Sequence, residues 1–258
     1  MKKLFATLIL LMVCYTSQSQ VLIALLLGDK LNNGSMEFGL DGGFNFSSIS
    51  DMDSNQRLNT FNLGFYFDIR LKNQWFLHTG VLVKSNLGLK DLTENDLNFL
   101  NATTYDEEGD YRQKMNYFLV PALAKYKFDN HMYLEAGPQF GLMYKSWVEF
   151  NSDVDGITST IKEDNKDQVN RIDAGLAFGA GYKFLNGYGW TLGVRYYQGL
   201  ANVYKERSGT KHSSLFLKVN IPIGFSEEKK NEIKRIKEGN KEERLEKKAD
   251  KKAQKEDS

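Results

Sequence analysis

Phe61-Asn62-Leu63-Gly64-Phe65-Tyr66-Phe67-Asp68-Ile69-Arg70-Leu71 decides how this chain is read. Phe61, Leu63, Phe65, Phe67, Ile69 and Leu71 fall on one side of an extended backbone, and Asn62, Tyr66, Asp68 and Arg70 on the other. Side chains alternate across a strand with period two, so this run predicts a β-strand with one apolar and one polar face. The same period recurs at 36–46, 75–84, 117–128, 132–145, 171–184, 190–197 and 214–225. None of the eight apolar faces carries a charge. Eight alternating strands close most simply into an up-and-down antiparallel barrel.

Alternation does not say which face points outward, and a soluble lipocalin-type barrel has the same period with the faces reversed. Three features favour an apolar exterior. Gly39, Gly43, Gly64, Gly80, Gly137, Gly141, Gly175, Gly179, Gly181, Gly193 and Gly224 lie on the polar face, and only Gly42 on the other. Glycine weakens a strand unless something approaches closely, which a crowded eight-stranded lumen would do. Connections alternate between tight turns near Asn73, Asn130 and Asn186-Gly187 and long segments at 47–58, 86–114, 150–168 and 201–211. Trp75, Phe128, Tyr182, Phe184, Trp190 and Phe225 gather near the tight-turn ends, as an interfacial girdle would. The fold expected is all-β: an eight-stranded transmembrane barrel with short periplasmic turns and long extracellular loops. An even strand count puts both termini on the periplasmic side.

The rest of the 258 residues flank that barrel, expected over 35–225. Residues 1–19 read as a secretory signal. Lys2 and Lys3 precede the apolar run 4–13, and Ser17-Gln18-Ser19 supplies small residues for cleavage. Residues 20–34 open with seven apolar residues, Val21 to Leu27, expected as a short helix at one barrel mouth. Residues 226–258 hold 12 Lys/Arg and 10 Asp/Glu with no aromatic, a charged tail that is either a solvated helix or disordered. The single Cys14 falls in the signal, so neither a disulfide framework nor a Cys-based zinc site is available. A formal charge of +1 excludes the broad basic surface of a nucleic-acid binder. A mean hydropathy of −0.48 argues against a helical membrane protein and leaves a membrane barrel, whose strands are half polar, open.

Several stretches resemble the PorT-like "porin family" of outer-membrane β-barrel proteins. They are Val21-Leu22-Ile23 with Gly28-Asp29-Lys30-Leu31, Phe38-Gly39-Leu40-Asp41-Gly42-Gly43, and Tyr133-Leu134-Glu135-Ala136-Gly137-Pro138-Gln139-Phe140-Gly141. Asp173-Ala174-Gly175-Leu176-Ala177-Phe178-Gly179-Ala180-Gly181-Tyr182 and Arg195-Tyr196-Tyr197-Gln198-Gly199-Leu200-Ala201-Asn202 continue the likeness, which spans 21–225 and omits the tail. It implies integral outer-membrane residence. One branch of that family assists a secretion system that moves proteins across the membrane.

Nine charges fall on the polar face: Glu37, Asp41, Asp68, Arg70, Glu135, Arg171, Asp173, Arg195 and Lys218. Buried charges persist when paired and hydrogen-bonded, so these are expected to form a structural network that fills the lumen. A carboxylate pair among Asp68, Glu135 and Asp173 used for acid–base chemistry is the alternative. It lacks a nucleophile, since His78, His131 and His212 are scattered. The expected role is therefore non-enzymatic, without cofactor or metal: a structural or interaction role in the envelope. A narrow solute channel, or a lipocalin-like binder of an apolar ligand, are the alternatives. Partners would be outer-membrane lipid and lipopolysaccharide, and envelope or secretion proteins reached through loops or tail, with no nucleic acid. The loops are acidic, with Asp91, Glu94, Asp96, Asp106, Glu107, Glu108 and Asp110 in one, and Asp153, Asp155, Glu163, Asp164 and Asp167 in another. Asn151-x-Asp153-x-Asp155-Gly156 imitates a calcium loop, but Lys162 stands where the bidentate Glu belongs.

Overall fold

The computed structural model describes residues 32, 35–154, 157–224, 231–239 and 241–242. Among them are nine strands: β1 (Met36–Ile49), β2 (Gln56–Lys72), β3 (Trp75–Lys90), β4 (Gly109–Lys127), β5 (Met132–Val154), β6 (Ile157–Asp164), β7 (Ile172–Lys183), β8 (Thr191–Gly199) and β9 (His212–Pro222). One short helix, α1 (Glu94–Phe99), follows β3. Residues 231–239 and 241–242 of the tail are helical. The expected signal, the segment at 20–31 and Phe225 lie outside the described residues.

Eight strands form a closed antiparallel ring in the order β1-β2-β3-β4-β5-β7-β8-β9, with β9 returning to β1 from Gly39↔Pro222 to Ile49↔His212. Three tight connections, at Asn73, at Asn130–His131 and at Leu185–Gly187, share one end of the ring with its two chain ends. Positive φ at Asn73, His131 and Asn186 lets the chain reverse within a few residues. The apolar faces point outward. Phe44, Phe140, Leu176, Phe178 and Leu192 are exposed, while Asp41, Asp68, His78, Glu135 and Arg195 are buried. That is the reverse of a soluble lipocalin-type barrel, and it is the arrangement lipid requires. Near the tight-turn end, Trp75 packs edge-on to Tyr126 at 5.0 Å and Phe184 stacks on Trp190 at 4.3 Å, forming the expected aromatic girdle.

The glycines have two separate causes rather than the single one inferred from the sequence. At Gly80 (φ +148°) a Cβ would lie 2.1 Å from the carbonyl oxygen of Phe65 on the neighbouring strand. Sharp coiling of a narrow barrel, not lumen contents, excludes a side chain there. At Gly193 a Cβ would lie 2.2 Å from Tyr133 Oη, so the crowded lumen is the cause.

The long connections are shorter than the sequence suggests, because β3, β4 and β5 run well past their expected ends. Irregular register between Leu82 and Ser85 turns Val83 and Lys84 both outward and shifts the alternation by one residue. A bulge beside Asn116/Tyr117 does the same at Tyr144 and Lys145. Beyond these points the polarity reverses. Leu87, Leu89, Met115 and Val148 are buried inside, and Lys90, Arg112 and Lys114 stand on the outer face. The ninth strand, β6, lies outside the ring and pairs with this upper part of β5 from Trp147↔Asp164 to Val154↔Ile157. The calcium-loop imitation is therefore a hairpin, with residues 155–156 outside the described residues, and Lys162 sits 3.6 Å from Glu149.

The connections knit into a lid over this end. Thr93 caps α1 by accepting from the Asp96 amide. Asp96, fully buried, accepts hydrogen bonds from the amides of Asp53 (2.8 Å) and Ser54 (2.9 Å), tying the β1–β2 loop to the helix. Gln168 Nε2 donates to Leu100 O at 2.9 Å, and Phe99 packs edge-on to Tyr204. Beneath them Ile49, Leu97, Leu100, Val169, Val203 and Tyr204 join Leu87, Leu89, Met115, Leu119 and Met143 in one apolar cluster.

Candidate functional site

The lumen has two layers. Below the apolar cluster, toward the tight-turn end, lie the charges. Eight strands leave an interior just wide enough for side chains, so each inward residue meets partners from across the barrel. Glu135 of β5 accepts from Arg195 of β8, with Nε at 2.7 Å and Nη2 at 2.6 Å from the same Oε1. Asp41 of β1 pairs with Lys218 of β9 at 3.0 Å. Glu37 pairs with Lys183 and accepts from Tyr66 Oη at 2.9 Å.

Asp68 is the most heavily used group. It meets His78 Nδ1 at 2.6 Å, Lys125 Nζ at 3.1 Å and Lys127 Nζ at 2.7 Å. Lys218 Nζ lies 3.4 Å from His78 Nε2. A lysine ammonium only donates, so Nε2 accepts and the Nδ1–H donates to Asp68, which fixes a neutral tautomer. Among the described residues no hydroxyl or thiol hydrogen-bonds His78. The Asp–His pair thus ends on a lysine and not on a nucleophile, and the arrangement offers no triad.

Of the nine charges singled out in the sequence, six are drawn into these pairs: Glu37, Asp41, Asp68, Glu135, Arg195 and Lys218. Asp173 is buried but accepts from Tyr197 Oη at 2.8 Å, a hydrogen bond and not an ion pair. Two are corrected. Arg70 and Arg171 are exposed. Arg70 stands at the tight-turn rim with its guanidinium 5.2 Å from the Phe76 ring centroid. Arg171 precedes β7 at the other end, where its carbonyl accepts from the Met143 amide. Both occupy polar-face positions, but they lie beyond the levels at which the wall encloses a side chain.

The network also recruits Lys125, Lys127, Lys183, His78 and Tyr66. Lys125, Lys183, His78 and Tyr66 could be assigned to the polar face by alternation alone. Their partnerships could not, because the period gives a side and cross-barrel register gives the height. His212 reaches Tyr117 Oη at 3.1 Å just under the apolar cluster, away from His78. His131 sits in the β4–β5 turn.

The pairs leave a vestibule of ≈ 340 Å³ at the tight-turn end, reached past Arg70 and walled by Glu37, Asp68, Lys127, Lys183 and Tyr133. At the opposite end the outer hairpin has its own electrostatics. Burial raises the Glu149 carboxyl, but hydrogen bonds from Lys114 and from Trp147 Nε1 outweigh it and hold the group down at about 2. Among the described residues no group of three or more acidic, His or Cys side chains is placed to hold a metal ion.

A family model described as "Outer membrane protein beta-barrel domain" matches residues 17–205. No curated protein matches significantly. Among solved structures, similarity is found to Ail, the attachment invasion locus protein of Yersinia pestis, in complex with the heparin analogue sucrose octasulfate. That match has 15% identity over 73% of this chain and 99% of that one, with a TM-score of 0.40. Neisserial surface protein A matches at 13% identity over 72% of this chain and 96% of its own, with a TM-score of 0.37. The outer membrane protein OprG of Pseudomonas aeruginosa matches at 12% identity over 76% and 96%, with a TM-score of 0.33.

Proposed function

Because the chain belongs to the outer membrane protein beta-barrel domain family, we propose that it serves the outer membrane as a sealed, non-catalytic barrel with a structural or interaction role. The observation that carries this reading is the filled lumen. Cross-barrel ion pairs occupy its lower half, and the apolar cluster under the α1 lid closes its upper half. A conduit would need the charged side chains to line a continuous aqueous path, and Leu87, Leu119 and Met143 interrupt it with fully buried apolar contacts. In this reading residues 1–19 direct export, the tight-turn end and both termini face the periplasm, and the lid and β5–β6 hairpin face outward as contact surface for lipopolysaccharide or envelope proteins.

A finer placement among PorT-like proteins draws on the resemblance over 21–225, and a part in protein secretion only on one branch of that family. The test of the sealed reading is single-channel recording in planar bilayers, using protein whose folding is verified by heat-modifiable gel mobility. The expected result is a silent bilayer. Stable unitary conductance from the folded protein would replace this reading with the narrow-channel one.

A further inference from the structure

We propose that the tight-turn vestibule is an anion site that takes a phosphomonoester group. Four cationic side chains, Arg70, Lys125, Lys127 and Lys183, line it against two carboxylates, Glu37 and Asp68, so its described walls carry two positive charges in excess. The deeper groups do not absorb that excess. Asp41 is held by Lys218, and Glu135 spends Oε1 on Arg195, leaving Lys125 4.0 Å away from its other oxygen. Among the described residues, Asp68 is the carboxylate in contact with both Lys125 and Lys127. Like charges that converge on one carboxylate out of bulk water are stabilised by a further anion.

Two other features suit a bound oxyanion. The Phe76 ring holds Lys127 Nζ at 4.1 Å and the Arg70 guanidinium at 5.2 Å from its centroid, so one aromatic ring fixes both rim cations. Tyr133, lining the same space, holds Lys125 Nζ 4.1 Å from its ring centroid, so a second aromatic ring fixes a third cation. A phosphomonoester carries close to two negative charges near neutral pH and three acceptor oxygens, matching the excess of two and the fork of the Arg70 guanidinium. A diester or a carboxylate supplies only one charge.

The test is calorimetric titration of the full-length, detergent-folded protein with inorganic phosphate. Glycerol 3-phosphate, a micellar phosphatidic acid and a micellar phosphatidylglycerol serve as further ligands. Saturable phosphate binding is expected, weakened at least about tenfold by Arg70→Gln and by Lys127→Gln and less by Arg70→Lys, which keeps the charge and loses the fork. Phosphatidylglycerol, a diester, is expected to bind more weakly than either monoester. Tighter binding of phosphatidic acid than of glycerol 3-phosphate would assign the group to a lipid, and equal binding to a soluble metabolite. Absence of saturable binding by wild-type protein would overturn the proposal. Wild-type affinity in the folded Arg70→Gln and Lys127→Gln proteins would overturn it too. Heat-modifiable mobility verifies folding of each variant.

Discussion

Leu176 projects from the outer face of β7 at 42% exposure, while the next residue, Ala177, is fully buried inside. A cation there would meet hydrocarbon, so Leu176→Arg is expected to destabilise the barrel by about 2–4 kcal/mol if the site lies near the bilayer midplane. A urea titration in lipid vesicles measures it, and an unchanged midpoint would reverse the faces assigned here. Asp68 supplies the inward counterpart. Asp68→Asn leaves Lys125 and Lys127 without their carboxylate and is expected to cost about 3–5 kcal/mol, as removal of one partner from a buried pair does. In the same titration the double variant Asp68→Asn/Lys125→Met should recover part of that loss, and no recovery would mean the pair is not energetically coupled. At this scale the sequence is informative about direction and uninformative about company. Glu37 and Lys183 are 146 positions apart, and nothing local to either predicts the other.

The elements explain what alternation missed. The periodic pattern of β3 and β5 breaks where two successive residues face outward, at Val83-Lys84 and Tyr144-Lys145. After each break the apolar residues belong inside, so a single-phase reading ends the strand and mistakes the remainder for loop. Strand β6 is polar along much of its length, Thr158-Ser159-Thr160 and Lys162-Glu163-Asp164, and so escapes a search for apolar alternation. It is held to β5 partly by Glu149, which gathers Lys114, Lys162 and Trp147 Nε1. Its carboxyl titrates at about 2 instead of the ordinary 4.5, so folding favours the ionised form. That stabilisation is complete above pH 4.5 and is lost as the pH falls toward 2. Protection factors of the β5–β6 amides, with exchange corrected for the intrinsic rate at each pH, should therefore fall across that interval in the wild type. Glu149→Gln should be less protected at pH 6 and show a smaller change; identical profiles would remove Glu149 from the hairpin's stability.

For the whole molecule, the barrel ring, its strand faces and the girdle were legible because lipid and a narrow lumen impose them on every strand. The lid was not, because it depends on contacts such as Asp96 with Asp53 and Ser54, more than forty residues apart. The reversal of polarity above Ser85 and Tyr144 makes one chain two kinds of barrel stacked end to end, apolar outside below and apolar inside above. That stacking bears on how the protein is put in place. In the orientation proposed above, with the tight-turn end facing the periplasm, Lys90, Arg112 and Lys114 on the outer face of the upper half would have to traverse the hydrocarbon during insertion. Insertion in that orientation would meet a desolvation barrier at this polar cap that the finished structure no longer displays.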